Sequence, residues 1–105
     1  MNAEHLQHAN CGVTKTLKIM SSKWTMLILH ALCESKKRFG ELQRALSGIS
    51  PKTLSIRLHT LEEEGIVKKH IFAEVPLHVE YSLTEKGASL REIFDKISQW
   101  GESHE

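Results

Sequence analysis

The stretch from Phe39 to Val67, reading FGELQRALSGISPKTLSIRLHTLEEEGIV, constrains the fold of this chain more than any other. Leu42, Ala45 and Leu46 recur at spacings of three and four, which predicts an apolar stripe along one helix. Leu54, Leu58 and Leu61 repeat the stripe on a second. Between them, Ser47-Gly48-Ile49-Ser50-Pro51 carries stop-and-start chemistry. Gly48 can take the left-handed conformation that closes a helix, and Ser50 can cap the next. Pro51 suits that helix's first turn, where no backbone donor is needed. Gly65 ends the second helix, and Ile66-Val67 opens an extended pattern. A corner this short holds two helices crossed rather than stacked, as in a helix-turn-helix.

The second helix has two unlike faces. At about 100° per residue, Leu54, Leu58 and Leu61 share one side, whereas Lys52, Ile56 and His59 fall opposite. Thr53 and Ser55 flank the outward side, and Arg57 lies nearer the edge of the apolar stripe. Charge around the corner is lopsided. Lys36, Lys37, Arg38, Arg44, Lys52 and Arg57 stand against Glu41 alone, a local balance of +5 in a chain whose net charge is only +1. Basic charge is thus concentrated where a phosphate backbone would be met.

The rest of the chain supplies elements around this pair. Residues 1–10 read as a flexible, polar arm, with one domain over 11–105. Val13, Leu17 and Met20 predict a short first helix. Ser21-Ser22 can cap a second, from about Lys23 to Glu34, which carries Trp24, Leu27, Ile28, Ala31 and Leu32. Lys36-Lys37-Arg38 reads as a basic link into the helix-turn-helix, 39–65. Ile66-Val67 and His70-Ile71-Phe72 predict a strand, Glu74 to Leu77 a turn, and Val79, Tyr81 and Leu83 a returning strand. That hairpin, 66–83, would be a wing. Thr84 caps a last helix, 84–101, with Leu90, Ile93, Phe94, Ile97 and Trp100 along one side. The fold class expected is mainly α with a small β-hairpin: a winged helix-turn-helix with extra N- and C-terminal helices. No apolar run approaches the ~18 residues of a membrane span, and the N-terminus does not read as an export signal. Two cysteines are too few for a disulfide scaffold, so the expected compartment is the reducing cytoplasm.

Taken in order, the Cys11 segment, SSKWTMLILHAL at 21–32, RFGELQRALSGISPKTLSIRLHTLEEEGIV at 38–67, EVPLHVEYSLTEKG at 74–87 and the closing Trp100-Gly101 resemble the HxlR-type winged helix-turn-helix transcriptional regulators of bacteria. The likeness runs from Cys11 to Gly101. It implies a homodimer that places two such helices on a roughly palindromic stretch of double-stranded DNA. Carried over by position, Ser50, Lys52, Thr53, Ser55, Ile56 and Arg57 would face DNA, and Lys37 and Arg38 would touch phosphates. The chain departs from the family pattern at three places. Gly12 follows Cys11 where proline is common, and Ile56 stands where a polar residue is common; an apolar side chain there could meet a thymine methyl. His78 occupies a wing position where arginine is usual, so its hold on phosphate is expected to be weak or pH-dependent.

Several residues admit two readings. The resemblance makes Cys11 a candidate thiol sensor, and its place before a helix whose first turns carry Lys15 favours thiolate; the alternative is a cysteine with packing value only. Cys33 reads as a small core residue. His5, His8 and Cys11 fall three apart, a spacing open to metal ligands, yet a frayed arm accounts for it, and no metal or cofactor is expected. Glu62-Glu63-Glu64 reads as solvated charge at the far end of the second helix. Trp24 suits core or dimer packing. The stripe Leu90, Ile93, Phe94, Ile97 and Trp100 is broad for a short helix, and part of it, with Val13, Leu17 and Met20, is expected to form the dimer interface. No glycine-rich phosphate loop, HExxH or paired-cysteine motif occurs, which argues against an enzyme. A winged-helix module that binds protein instead of DNA is the rival; the basic patch argues against it, because a docking face there would more often be apolar. No residue set points to a small-molecule effector.

Overall fold

A computed structural model describes residues 11–20 and 22–104. The expected arm at 1–10, and with it His5 and His8, lies outside the described residues, as does Ser21. The elements run α1 (Gly12–Ile19), α2 (Lys23–Glu34), β1 (Lys37–Arg38), α3 (Phe39–Ala45), α4 (Pro51–Glu63), β2 (Val67–Phe72), β3 (His78–Leu83), α5 (Glu85–Ala88) and α6 (Leu90–Ser103). This is a winged helix-turn-helix, mostly helical, with one small antiparallel sheet.

The corner between α3 and α4 forms as its residues dictate. Leu46 closes α3 with its amide on the Leu42 carbonyl at 2.9 Å, and the Ile49 amide reaches the Leu46 carbonyl at 3.1 Å. Gly48 takes φ +92°, the left-handed region that a side chain would strain. Ser50 caps α4 by accepting the Thr53 amide at 3.1 Å, and Pro51 fills the first turn. At the far end Gly65 (φ +74°) lets the Ile66 amide reach the Leu61 carbonyl and the Gly65 amide the Glu62 carbonyl, both at 3.0 Å. That pair of bonds is the Schellman closure.

Leu54, Leu58 and Leu61 of α4 are essentially sealed, together with Ile28, Leu29 and Leu32 of α2 and Leu42 of α3. Ala45 is exposed, contrary to the expected stripe. The helix ends there, and Ile49 from the corner occupies the core instead.

The sheet departs from a simple hairpin. Its strand order is β1-β3-β2, so the basic link is itself an edge strand, pairing Lys37 with Tyr81 and Arg38 with Glu80. β2 and β3 pair in unbroken register from Val67–Leu83 to Phe72–His78. The last helix is also divided. Thr84 caps only the four-residue α5, accepting the Gly87 amide at 3.1 Å, and Ser89 turns the chain into α6 with its hydroxyl on the Lys86 carbonyl at 2.6 Å. Thr84 does more than cap. Its hydroxyl donates to the Gly65 carbonyl at 2.6 Å, and its amide reaches the Ile66 carbonyl at 3.0 Å. The end of α4 is therefore tied directly to the start of the C-terminal helices. Gly87 lies so close to this junction that a Cβ there would strike the Ile66 carbonyl.

Candidate nucleic-acid interface

Burying the leucines of α4 fixes what its other side can present. Lys52, Ser55, Ile56 and His59 are exposed, with Ile56 at 52%. Thr53 is half-buried and takes the Ser50 hydroxyl as a donor at 2.9 Å, so both side chains help set the helix start as well as facing outward. Arg57 is half-buried at the edge of the leucine stripe, and its Nε is buried without a hydrogen-bond partner. His59 lies 3.7 Å from Glu63 one turn on, an exposed pair. The outward face thus changes from cationic at the start of α4 to acidic at its end. A polyanion would be met by the first turns and repelled by the last.

The hairpin stands alongside. Ser55, Ile56, His59, Thr60 and Glu62 of α4 face Lys69 and Tyr81 of the sheet across an open cleft of about 360 Å³. Tyr81 is buried, and that burial, helped by the Glu62 carboxylate, pushes its phenol up. Lys37 and Arg38 sit at the foot of α3. The Lys37 ammonium donates to the Ser35 hydroxyl at 2.9 Å, and the Arg38 amide to the Glu41 carboxylate at 2.8 Å, leaving the exposed Arg38 guanidinium on the opposite side of β1. His78 opens β3, with its ring stacked on Phe72. Sequence reasoning did not single out Lys68 or Lys69 and named His70 only as a strand residue, although the alternation in VKKHIF shows which of them share a face.

A second exposed face lies far along the chain, and it is apolar. On α6 the stripe divides. Phe94 is buried beside His30, its ring 5.8 Å away, and Leu90 packs against the same core. Phe94 is therefore engaged within the protomer. Ile93, Ile97 and Trp100 point away, at 51%, 47% and 67% exposure. Val13 and Leu17 of α1 are likewise exposed, whereas Met20 is half-buried against the core.

Cys11 occupies the N-cap position of α1. The backbone amide of Thr14, then that of Val13, lowers its thiol below the ordinary range, through the helix start and not through Lys15. Cys33 is packed partly against the core; burial pushes its thiol up, Arg91 opposing and Asp95 adding. Among the described residues no three ligating side chains gather as a metal site, and no helix is long and apolar enough to cross a membrane.

The HxlR-like helix-turn-helix family model matches residues 19–105. The uncharacterised HTH-type transcriptional regulator YvaP of Bacillus subtilis (strain 168) is 43% identical over 86 residues, 82% of this chain and 80% of that one. A crystal structure of a transcriptional regulator from Porphyromonas gingivalis W83, described as MarR family, superposes with a TM-score of 0.88 at 39% identity, over 94% of this chain and 97% of that one. The oxidised form of the redox regulator HypR superposes with a TM-score of 0.83 at 38% identity, covering 90% and 98%.

Proposed function

The chain belongs to the HxlR-like helix-turn-helix family, and on that premise we propose that it is a cytoplasmic, DNA-binding transcriptional regulator that works as a homodimer. The observation that carries this reading is the division of α4: a sealed leucine face, and an opposite face on which Lys52, Ser55 and Ile56 are exposed at the capped end. A helix fixed in this way can enter a major groove without exposing core. Lys52, Thr53, Ser55 and Ile56 meet base edges or the flanking phosphates. Ser50, Arg57, Lys37, Arg38 and His78 border that contact. Ile56 is suited to a thymine methyl, a contact that carries sequence information without charge.

Ile93, Ile97 and Trp100 of α6, with Val13 and Leu17 of α1, form the surface between copies. Each fully buried apolar side chain contributes about 1.5–3 kcal/mol. Because α5 and α6 are tethered to the end of α4 through Thr84, the dimer sets the distance between the two α4 helices. Cys11 is the thiol through which oxidants or electrophiles reach the regulator; its lowered thiol supports this, and the similar HypR is described as a redox regulator.

The test is a salt series of binding to duplex DNA with the wild-type protein and Lys52→Ala. Log affinity should fall linearly with log salt, and losing one phosphate contact in each protomer of the dimer should reduce the slope by about 1.8. Identical slopes and affinities would remove α4 from the interface.

A further inference from the structure

Three segments that lie far apart in the chain close around a small cavity within the protomer. Ile19 and Met20 of α1, Leu90 of α6 and Ile66 from the α4–β2 junction give it apolar walls. Ile66 is buried, and the other three pack half-buried against the core. Thr16, Lys86 and Ser89 complete the lining, and all three are exposed. The cavity measures about 140 Å³. An apolar cavity of roughly 150 Å³ is enough to hold one benzene ring. Because the lining comes from three separated segments, no pattern along the chain announces it.

Among the described residues that line it, Lys86 alone is charged. Its ammonium donates to the Glu64 carbonyl at 3.0 Å and has further N–H groups to give. The hydroxyl hydrogens of Thr16 and Ser89 are already given, to the Gly12 carbonyl at 2.9 Å and the Lys86 carbonyl at 2.6 Å. A ligand entering here therefore meets an aliphatic surface with one cationic donor at its edge. That is the complement of a small monocarboxylate whose body is one ring or a short branched chain. A cationic molecule would face the ammonium with no carboxylate in the lining to offset it.

Two of the lining residues also close α4. The Ile66 amide reaches the Leu61 carbonyl in the last turn of α4, and the Ile66 carbonyl accepts the Thr84 amide, both at 3.0 Å. Glu64, whose carbonyl Lys86 holds, is the C-cap of that helix. A carboxylate that takes up Lys86 competes with the Glu64 carbonyl and loosens the end of α4 from α5. We propose that this cavity is an effector site for a small apolar monocarboxylate, and that filling it weakens DNA binding. The effector role rests on the reading of the protein as DNA-binding and adds a ligand to it. The two equilibria are linked: whatever factor the ligand takes from DNA affinity, DNA takes from ligand affinity.

The probe is cyclohexanecarboxylate, with its near-isosteric carboxamide as the uncharged control, titrated into the full chain by calorimetry. Wild type should bind the carboxylate saturably, and on the order of tenfold more tightly than the carboxamide. Lys86→Met, which keeps an apolar stem and removes the charge, should bind the two about equally. Lys86→Arg should keep the wild-type preference. Thr16→Phe, at the exposed rim of the cavity, should lose both ligands while keeping the far-UV circular dichroism of wild type. In titrations with random-sequence duplex at constant ionic strength, saturating carboxylate should lower wild-type affinity about fivefold or more and leave that of Lys86→Met unchanged. Failure of wild type to bind saturably, an unaltered carboxylate preference in Lys86→Met, or a Thr16→Phe protein that binds like wild type overturns the site. Ligand binding as expected with no change in duplex affinity overturns its role as an effector site. If wild type binds no duplex at all, the DNA-binding reading falls, and the calorimetry still decides whether the cavity takes the carboxylate.

Discussion

Helices α4 and α6 are built on the same plan and end in opposite chemistry. Each buries one apolar face in the protomer: Leu54, Leu58 and Leu61 on α4, Leu90 and Phe94 on α6. Beyond that face, α4 turns polar and cationic at its start, with Lys52 and Ser55, whereas α6 stays apolar with Ile93, Ile97 and Trp100. A polar outer face costs little in water and pairs with a polyanion. An apolar one of this size is costly to leave in water and favours a matching surface. On the proposed reading the two helices serve two partners, duplex DNA and a second copy of the chain, and Thr84, which caps α5 just ahead of α6, ties that C-terminal segment to the end of α4.

The comparison breaks most visibly at the buried faces. Leu58→Ala should destabilise the protein by about 2–5 kcal/mol in denaturant titrations, because Leu58 is sealed and its removal leaves a cavity. Ile97→Asp should leave the far-UV circular dichroism of the protein unchanged. It should also raise the dimer dissociation constant by a hundredfold or more in sedimentation, since a twofold interface loses the side chain twice. A dimer as tight as wild type would place the contact elsewhere. Lys52→Ala should do the reverse: keep the dimer and weaken binding to duplex DNA on the order of tenfold.

The smallest effect concerns the two free cysteines, Cys11 and Cys33. Cys11 is lowered by helix-start amides and Cys33 raised by burial, so at any pH near neutrality Cys11 holds the larger thiolate fraction. As pH falls, both fractions shrink, with that of Cys11 persisting to lower pH. Peptide mapping after brief iodoacetamide treatment should find Cys11 labelled several times faster. Equal rates would mean that the amides at the start of α1 do not hold the thiolate.

Features determined by a few neighbouring residues were legible in the sequence. Ser50 and Pro51 start α4, Gly48 and Gly65 take positive φ, and Thr84 caps, because each requirement is local. Features that depend on distant partners were not. Lys37-Arg38 has no apolar alternation to announce a strand; it becomes one only because β3 presents Tyr81 and Glu80 to it. Periodicity placed Ile93, Phe94 and Ile97 on one broad stripe. It could not say which part faces the protomer's own core, since Phe94 is drawn inward by His30 and its neighbours. Ala45 fitted the helical spacing of α3 but sits at its end, where Ile49 from the corner takes the core position. For the interface, α4's outward residues followed from the 3.6-residue repeat. The stack of His70, Phe72 and His78 needed the β2–β3 register.

The central claim, that a dimer lowers two α4 helices into successive major grooves, is tested most directly by methylation interference at guanine N7 on a duplex selected from random DNA. The account predicts two patches of interference on one face of the duplex, centred about 10 base pairs apart or a multiple of that. A single patch, or tight binding that N7 methylation does not disturb, would contradict it.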